Sequence, residues 1–146
     1  MKKELIFIFF ILLVFYGIHG FPTSMERLEG VSTIDINVYD TYYVISSKYY
    51  WILTLLFAFS MSYLVRILVT KFRNRIANYI FLIVNALFIV SLVYVIRFFN
   101  TILRDFKERA VAIDQAFYNF FYIATAFFVF TIIFEIYVLF KMQQQK

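Results

Sequence analysis

Two charged side chains stand well inside long apolar runs: Arg66 within Tyr49–Thr70 and Glu135 within Ala116–Phe140. A charge near the middle of a membrane-crossing helix costs of order 2.5–3.5 kcal/mol, so each needs a partner or a route to the interface. Arg66 precedes Lys71 by five residues and Glu135 precedes Lys141 by six. If both runs cross in the same direction, the two charges lie at similar depth. Two readings follow: an interhelical ion pair between Arg66 and Glu135, or two side chains that snorkel separately to the interface. Asn85, Thr125 and Thr131 add polar groups to the runs, but they are too few and too scattered to trace a path for an ion.

Other chemistries meet a shortage of residues. The chain has no Cys and a single His, His19. Thiol nucleophiles, disulfides and thiolate metal sites are excluded, as are bis-His haem ligation and His-Glu-x-x-His zinc sites. His19 closes the first apolar run and reads as an interfacial residue. Glu29, Asp35 and Asp40 could form a carboxylate cluster, but hard cations need several oxygens at close range. Their spacings of six and five residues in an extended segment do not converge. No Ser-His-Asp set, Gly-rich phosphate loop or paired-carboxylate motif is present. The expectation is a protein that is not an enzyme and has no cofactor and no metal.

The elements that must position these residues are long and apolar. Of 146 residues, 64% are hydrophobic, with mean hydropathy +0.82. Soluble domains sit near 45–50%, and a small core cannot bury the excess. The expected fold class is all-α: an integral membrane protein with four transmembrane helices in one small bundle, as a single domain over residues 1–146. Helices are expected at about 5–21, 49–70, 76–96 and 116–140. The third apolar run, Ile76–Ile96, has 21 residues without a charge, about 31 Å of helix and a match to the bilayer core. Beyond it, Phe98, Phe99, Ile102, Leu103, Phe106, Ala110 and Ile113 recur at spacings of three and four. That pattern extends the helix to about 113 or forms a separate surface helix.

The first run, Leu5–Ile18, is short, and Lys2 and Lys3 precede it. It reads either as an uncleaved first helix or as a cleaved secretory signal over residues 1–20, which leaves three helices. Residues 22–48 form an outer polar segment. Within it Ile34, Ile36 and Val38 alternate with Asp35 and Asn37 as a strand would. No partner strand is evident, so an extended segment is expected rather than a sheet. The tail after Lys141 is expected to fray.

The formal charge is +5, with the basic residues beside the apolar runs. That placement reads as topology signal and lipid contact, not as a nucleic-acid surface. Lys2-Lys3 and the Lys71–Arg75 cluster put the N-terminus and C-terminus inside a cell membrane, read here as a bacterial cytoplasmic membrane, and residues 22–48 outside. The basic segment from Arg97 to Arg109 runs against that assignment.

One stretch carries a likeness. Asp35-Ile36-Asn37-Val38-Tyr39-Asp40-Thr41-Tyr42-Tyr43-Val44-Ile45-Ser46-Ser47-Lys48-Tyr49-Tyr50 resembles subunit I of the haem–copper oxidases. The likeness is to the outer segment that leads into that subunit's tenth transmembrane helix. Asp35, Ile36, Asp40, Thr41, Tyr42, Tyr43, Val44 and Tyr50 match as they stand, and Val38 and Ile45 are conservative changes. The family's two haem-ligand histidines fall at Ser47 and Tyr49, and the histidine of its outer magnesium site falls at Tyr39. The resemblance implies descent from, or mimicry of, a helix-leading segment without oxidase activity. It also implies that this segment lies outside and its helix runs inward.

Asp40, Thr41, Tyr42 and Tyr43 are thus expected to be a recognition segment that also starts the next helix. Asp40 and Thr41 would accept hydrogen bonds from its free amides, and the tyrosines would hold it at the interface. Three functions are compatible with the chain. The first is an accessory, assembly or structural partner, whose contacts are the lipid bilayer and another membrane protein or a second copy. The second is a minimal transporter or channel subunit using Arg66 and Glu135. The third is a degenerate haem-binding redox protein.

Overall fold

The computed structural model describes residues 2–20, 32–38, 41–108 and 115–144. Four helices and one hairpin make up these residues: α1 Lys2–His19, β1 Thr33–Val38, β2 Thr41–Ser46, α2 Ser47–Val69, α3 Arg75–Glu108 and α4 Gln115–Gln144. The expected helices are all present. Three of them, α2, α3 and residues Phe117–Gln144 of α4, are long and apolar enough to cross a membrane. The shorter α1 carries Lys2, Lys3 and Glu4 in its first turn. The tail does not fray where expected, because α4 continues through Gln144.

Successive helices run antiparallel. Phe7 meets Tyr63 and Phe15 meets Trp51, which pairs α1 with α2. Phe57 meets Phe88 across α2 and α3, while Phe81 and Phe99 meet Phe134 and Phe117 across α3 and α4. Each contact face follows helical spacing. Glu4, Ile11 and Phe15 are the buried stripe of α1. Ala77, Phe81, Asn85, Phe88 and Leu92 are that of α3, spaced by four, four, three and four. The core gathers Ile11, Tyr63, Ile67, Phe72, Ala77, Phe81 and Val138. Many other large apolar side chains point outward, Phe9, Val69, Ile83 and Tyr122 among them. That surface is what a bilayer would solvate and water would not.

α3 resolves the alternative for the segment after Ile96. The helix continues without a break to Glu108, with Ile102 and Phe106 buried on the face set by the three-four spacing. Its 34 residues make about 51 Å of helix, some 20 Å more than a bilayer core needs. Residues 109–114 lie outside the described residues.

The segment before α2 corrects an expectation. The strand-like run has a partner: β1 pairs antiparallel with β2, in the register Ile34↔Ile45, Asp35↔Val44 and Ile36↔Tyr43. The Thr41–Ser46 stretch alternates less plainly than β1, and its resemblance to a helix-leading segment masked its strand character. The fold is therefore helical with a small two-stranded sheet. α2 begins at Ser47, two residues before the expected start near 49. Thr41 lies in β2, and Ser46 stands at the N-cap, with no side-chain capping bond. The N-cap position is thus taken by Ser46 rather than by Thr41, whose side chain, like Asp40, lies outside the described residues.

Candidate functional site

The polar and titratable groups gather in three places. At the end shared by the start of α1, the α2–α3 turn and the end of α4, Glu4 is buried against Arg66. Arg66 donates from Nε to Glu4 Oε2 at 2.9 Å and from Nη2 to Oε1 at 2.6 Å. Such a fork-shaped pair is the strong form of the carboxylate–guanidinium contact. Asn74 donates from Nδ2 to the same Oε1 at 2.7 Å and accepts from the Ala77 amide, so one residue joins α1 to the start of α3. The Arg66 guanidinium also lies 4.4 Å from the centroid of the Phe7 ring, at cation–π range.

This corrects the proposed pairing. Arg66 does not reach Glu135; its carboxylate is Glu4, three residues into the chain's first helix. Antiparallel packing brings the first turn of α1 level with the last turn of α2, and the short reach of Glu4 across that contact settles the choice. Sequence reasoning passed over Glu4 because Lys2, Lys3 and Glu4 read together as a charged flank. The usable signal was its position one helical turn before Phe7, on the stripe that continues through Ile11 and Phe15.

The second place is the middle of the bundle. Asn85, 1% exposed, accepts at Oδ1 from Ser60 of α2 at 2.9 Å. Its Nδ2 donates to the Thr131 carbonyl at 3.2 Å and to Glu135 Oε2 at 3.1 Å, both on α4. One amide thus ties three helices together and uses both its donors and its acceptor. Glu135 finds a polar neighbour here, an amide from α3 rather than the guanidinium of α2.

The third place is the opposite end, where the hairpin sits on the part of α3 that overhangs the apolar run. Tyr43 lies 6.1 Å from Phe98 and 6.5 Å from Phe106, ring to ring, beside buried Ile102 and Phe117. Ser47 fixes the base of the hairpin. Its amide donates to the Ser32 carbonyl at 3.0 Å, and the two hydroxyls share a hydrogen bond at 2.6 Å. Thr41 and Tyr42 belong to β2 by backbone; their side chains, like Asp40 and Tyr39, lie outside the described residues. Of the two positions matching haem-ligand histidines, Ser47 is buried in that Ser32 contact and Tyr49 is 69% exposed. They do not face a common space. His19 packs between Phe15 and Trp51, with ring centroids 4.7 Å from each.

Among the described residues no group of three or more His, Cys, Asp or Glu could hold a metal ion. Two open grooves flank α2, one against α1 and one against α3 and α4. Apolar side chains line both, Phe10 and Val14 in the first, Leu92 and Phe120 in the second. No protein-family model, no curated protein and no solved structure matches the chain.

Proposed function

We propose that this chain is a small multi-pass membrane protein with a non-catalytic role, an accessory or assembly partner of another membrane protein. Its recognition element is the hairpin 33–46 seated on the overhang of α3. The observation that carries this reading is the docking of Tyr43 onto Phe98 and Phe106, which turns a short polar segment into a fixed platform beyond the apolar spans. An isolated two-stranded hairpin is marginal in water, so its seating on a helix is what makes it a presentable surface. The N-in, C-in orientation belongs to this reading and is supported by Lys2, Lys3, Lys71, Arg73 and Arg75 at one end of the bundle. The likeness of residues 35–50 to the oxidase subunit I segment makes a respiratory complex the first partner to examine.

The test is the size of the protein solubilised from its native membranes in mild detergent. The reading expects migration in an assembly larger than the chain purified alone. It also expects return to the smaller size when Tyr43→Ala and Phe106→Ala unseat the hairpin. Migration at the purified size with the hairpin intact overturns it.

A second reading has one observation in its favour: Ser60, Asn85 and Glu135 converge at one depth, as a minimal transporter would need. Arg66 no longer contributes, because Glu4 occupies it. Ion or proton flux in proteoliposomes that disappears in Glu135→Gln would favour transport over the accessory role. For the third reading, haem binding, a Soret band in the purified protein is the corresponding sign.

A further inference from the structure

We propose that the end of the bundle carrying the Glu4–Arg66 pair is a binding surface for anionic phospholipid headgroups. The inference rests on the membrane reading above and adds a specific lipid partner to it.

The argument begins with charge. Lys2, Lys3, Arg73 and Arg75 are all exposed at this end, and none forms an ion pair among the described residues. Lys71 and Lys141 lie at the same end; among the described residues Lys141 meets the Gln144 amide oxygen and the face of the Tyr137 ring. Among the described residues the carboxylate at this end is Glu4, which is 5% exposed and held by Arg66 and Asn74. The positive charge of Lys2, Lys3, Arg73 and Arg75 therefore meets no carboxylate partner among the described residues. At the opposite end, by contrast, Arg104 faces Glu108 at 3.9 Å, and Asp35 and Asp105 add further carboxylates.

The second element is the turn that presents the cations. Phe72 donates its amide to the Ile67 carbonyl and Lys71 donates to that of Leu68, the paired bonds of a Schellman motif. Lys71 and Phe72 both hold left-handed backbone, with φ of 50° and 61°, where glycine is the usual occupant. Two things keep this conformation in place. Asn78 donates from Nδ2 to the Phe72 carbonyl at 2.7 Å, and the Phe72 ring is buried edge-on against Tyr137 at 5.7 Å. With Phe72 anchored inward, its neighbours Lys71 and Arg73 face out. The cations thus stand on a fixed turn immediately beyond the apolar spans, at headgroup depth, where a phosphate meets them without first having to order a loop.

The test uses the full chain reconstituted in phosphatidylcholine vesicles containing spin-labelled phosphatidylglycerol or spin-labelled phosphatidylcholine. The readout is the fraction of each label immobilised at the protein boundary. The proposal expects severalfold preference for phosphatidylglycerol, weakened by 0.5 M salt. Each cation removed should lower the preference by up to about fivefold, the effect of one Lys or Arg at an anionic surface. Arg73→Gln with Arg75→Gln should therefore abolish it, while Arg104→Gln with Lys107→Gln at the other end leaves it in place. Equal boundary fractions for the two lipids in the wild type overturn the proposal and leave the membrane reading standing. So does a preference that salt does not weaken, or one that the opposite-end variant removes as effectively. Failure of the chain to float with phosphatidylcholine vesicles at all overturns the membrane reading and this inference with it.

Discussion

The two ends of the bundle are held together by different physics. At the basic end, α1, α2 and α3 are joined by a buried carboxylate with three donor bonds, from Arg66 and Asn74, and Asn85 repeats the device deeper in the bundle. At the other end, apart from the Ser32–Ser47 bonds at the base of the hairpin, the joints are aromatic: Tyr43 on Phe98 and Phe106, and Phe15 and His19 on Trp51. Among apolar helices in lipid there is no hydrophobic gain from helix contact, so polar groups and close packing must supply the specificity. On the membrane reading proposed above, a segment that stands beyond the apolar spans gains again from burying an aromatic ring. The contrast separates a part that fixes the fold from the part proposed above as a recognition surface.

The largest effect should come from breaking the charged joint. Glu4→Gln or Arg66→Gln leaves a buried partner uncompensated, and each should cost about 3 kcal/mol in reversible detergent unfolding. The charge-swapped variant, Glu4→Arg with Arg66→Glu, should recover part of that loss. Asn85→Leu removes three hydrogen bonds at once, which at typical bilayer values amounts to about 1–2 kcal/mol. Tyr43→Ala should lower bundle stability by less than about 1 kcal/mol yet speed amide exchange in β1 and β2 at least about tenfold, because the hairpin opens by itself. The smallest change belongs to Val44→Thr, on the exposed face of β2, which should stay within about 0.5 kcal/mol. A Tyr43 variant that unfolds the whole bundle would erase the distinction between the ends; an Asn85 variant without effect would weaken it.

Much of the helical scaffold was legible in the sequence. Runs without charge, the Ile76–Ile96 span above all, define helices because little else accommodates so many consecutive apolar residues. The three-four spacing from Phe98 to Phe106 gave the face of the overhang that now holds Tyr43. The strand pairing was not legible, because the recognition that β1 alternates carries no information about which later segment it meets. The partner of Arg66 was not legible either. Depth alone made Glu135 and Arg66 neighbours, whereas the lateral order of helices decides which side chains touch, and no periodicity reports it. Asn85 was visible as a polar residue at mid-span, but its role appeared only when Ser60 and Glu135 arrived from two other helices.

The pairing of Arg66 is the joint on which the account of the bundle turns, and a double-mutant cycle tests it directly. Arg66→Gln should be combined with Glu4→Gln in one cycle and with Glu135→Gln in another, each read by detergent unfolding. The account predicts a coupling energy of about 2–3 kcal/mol between Arg66 and Glu4 and less than about 0.5 kcal/mol between Arg66 and Glu135. Strong coupling to Glu135 with additivity toward Glu4 would contradict it.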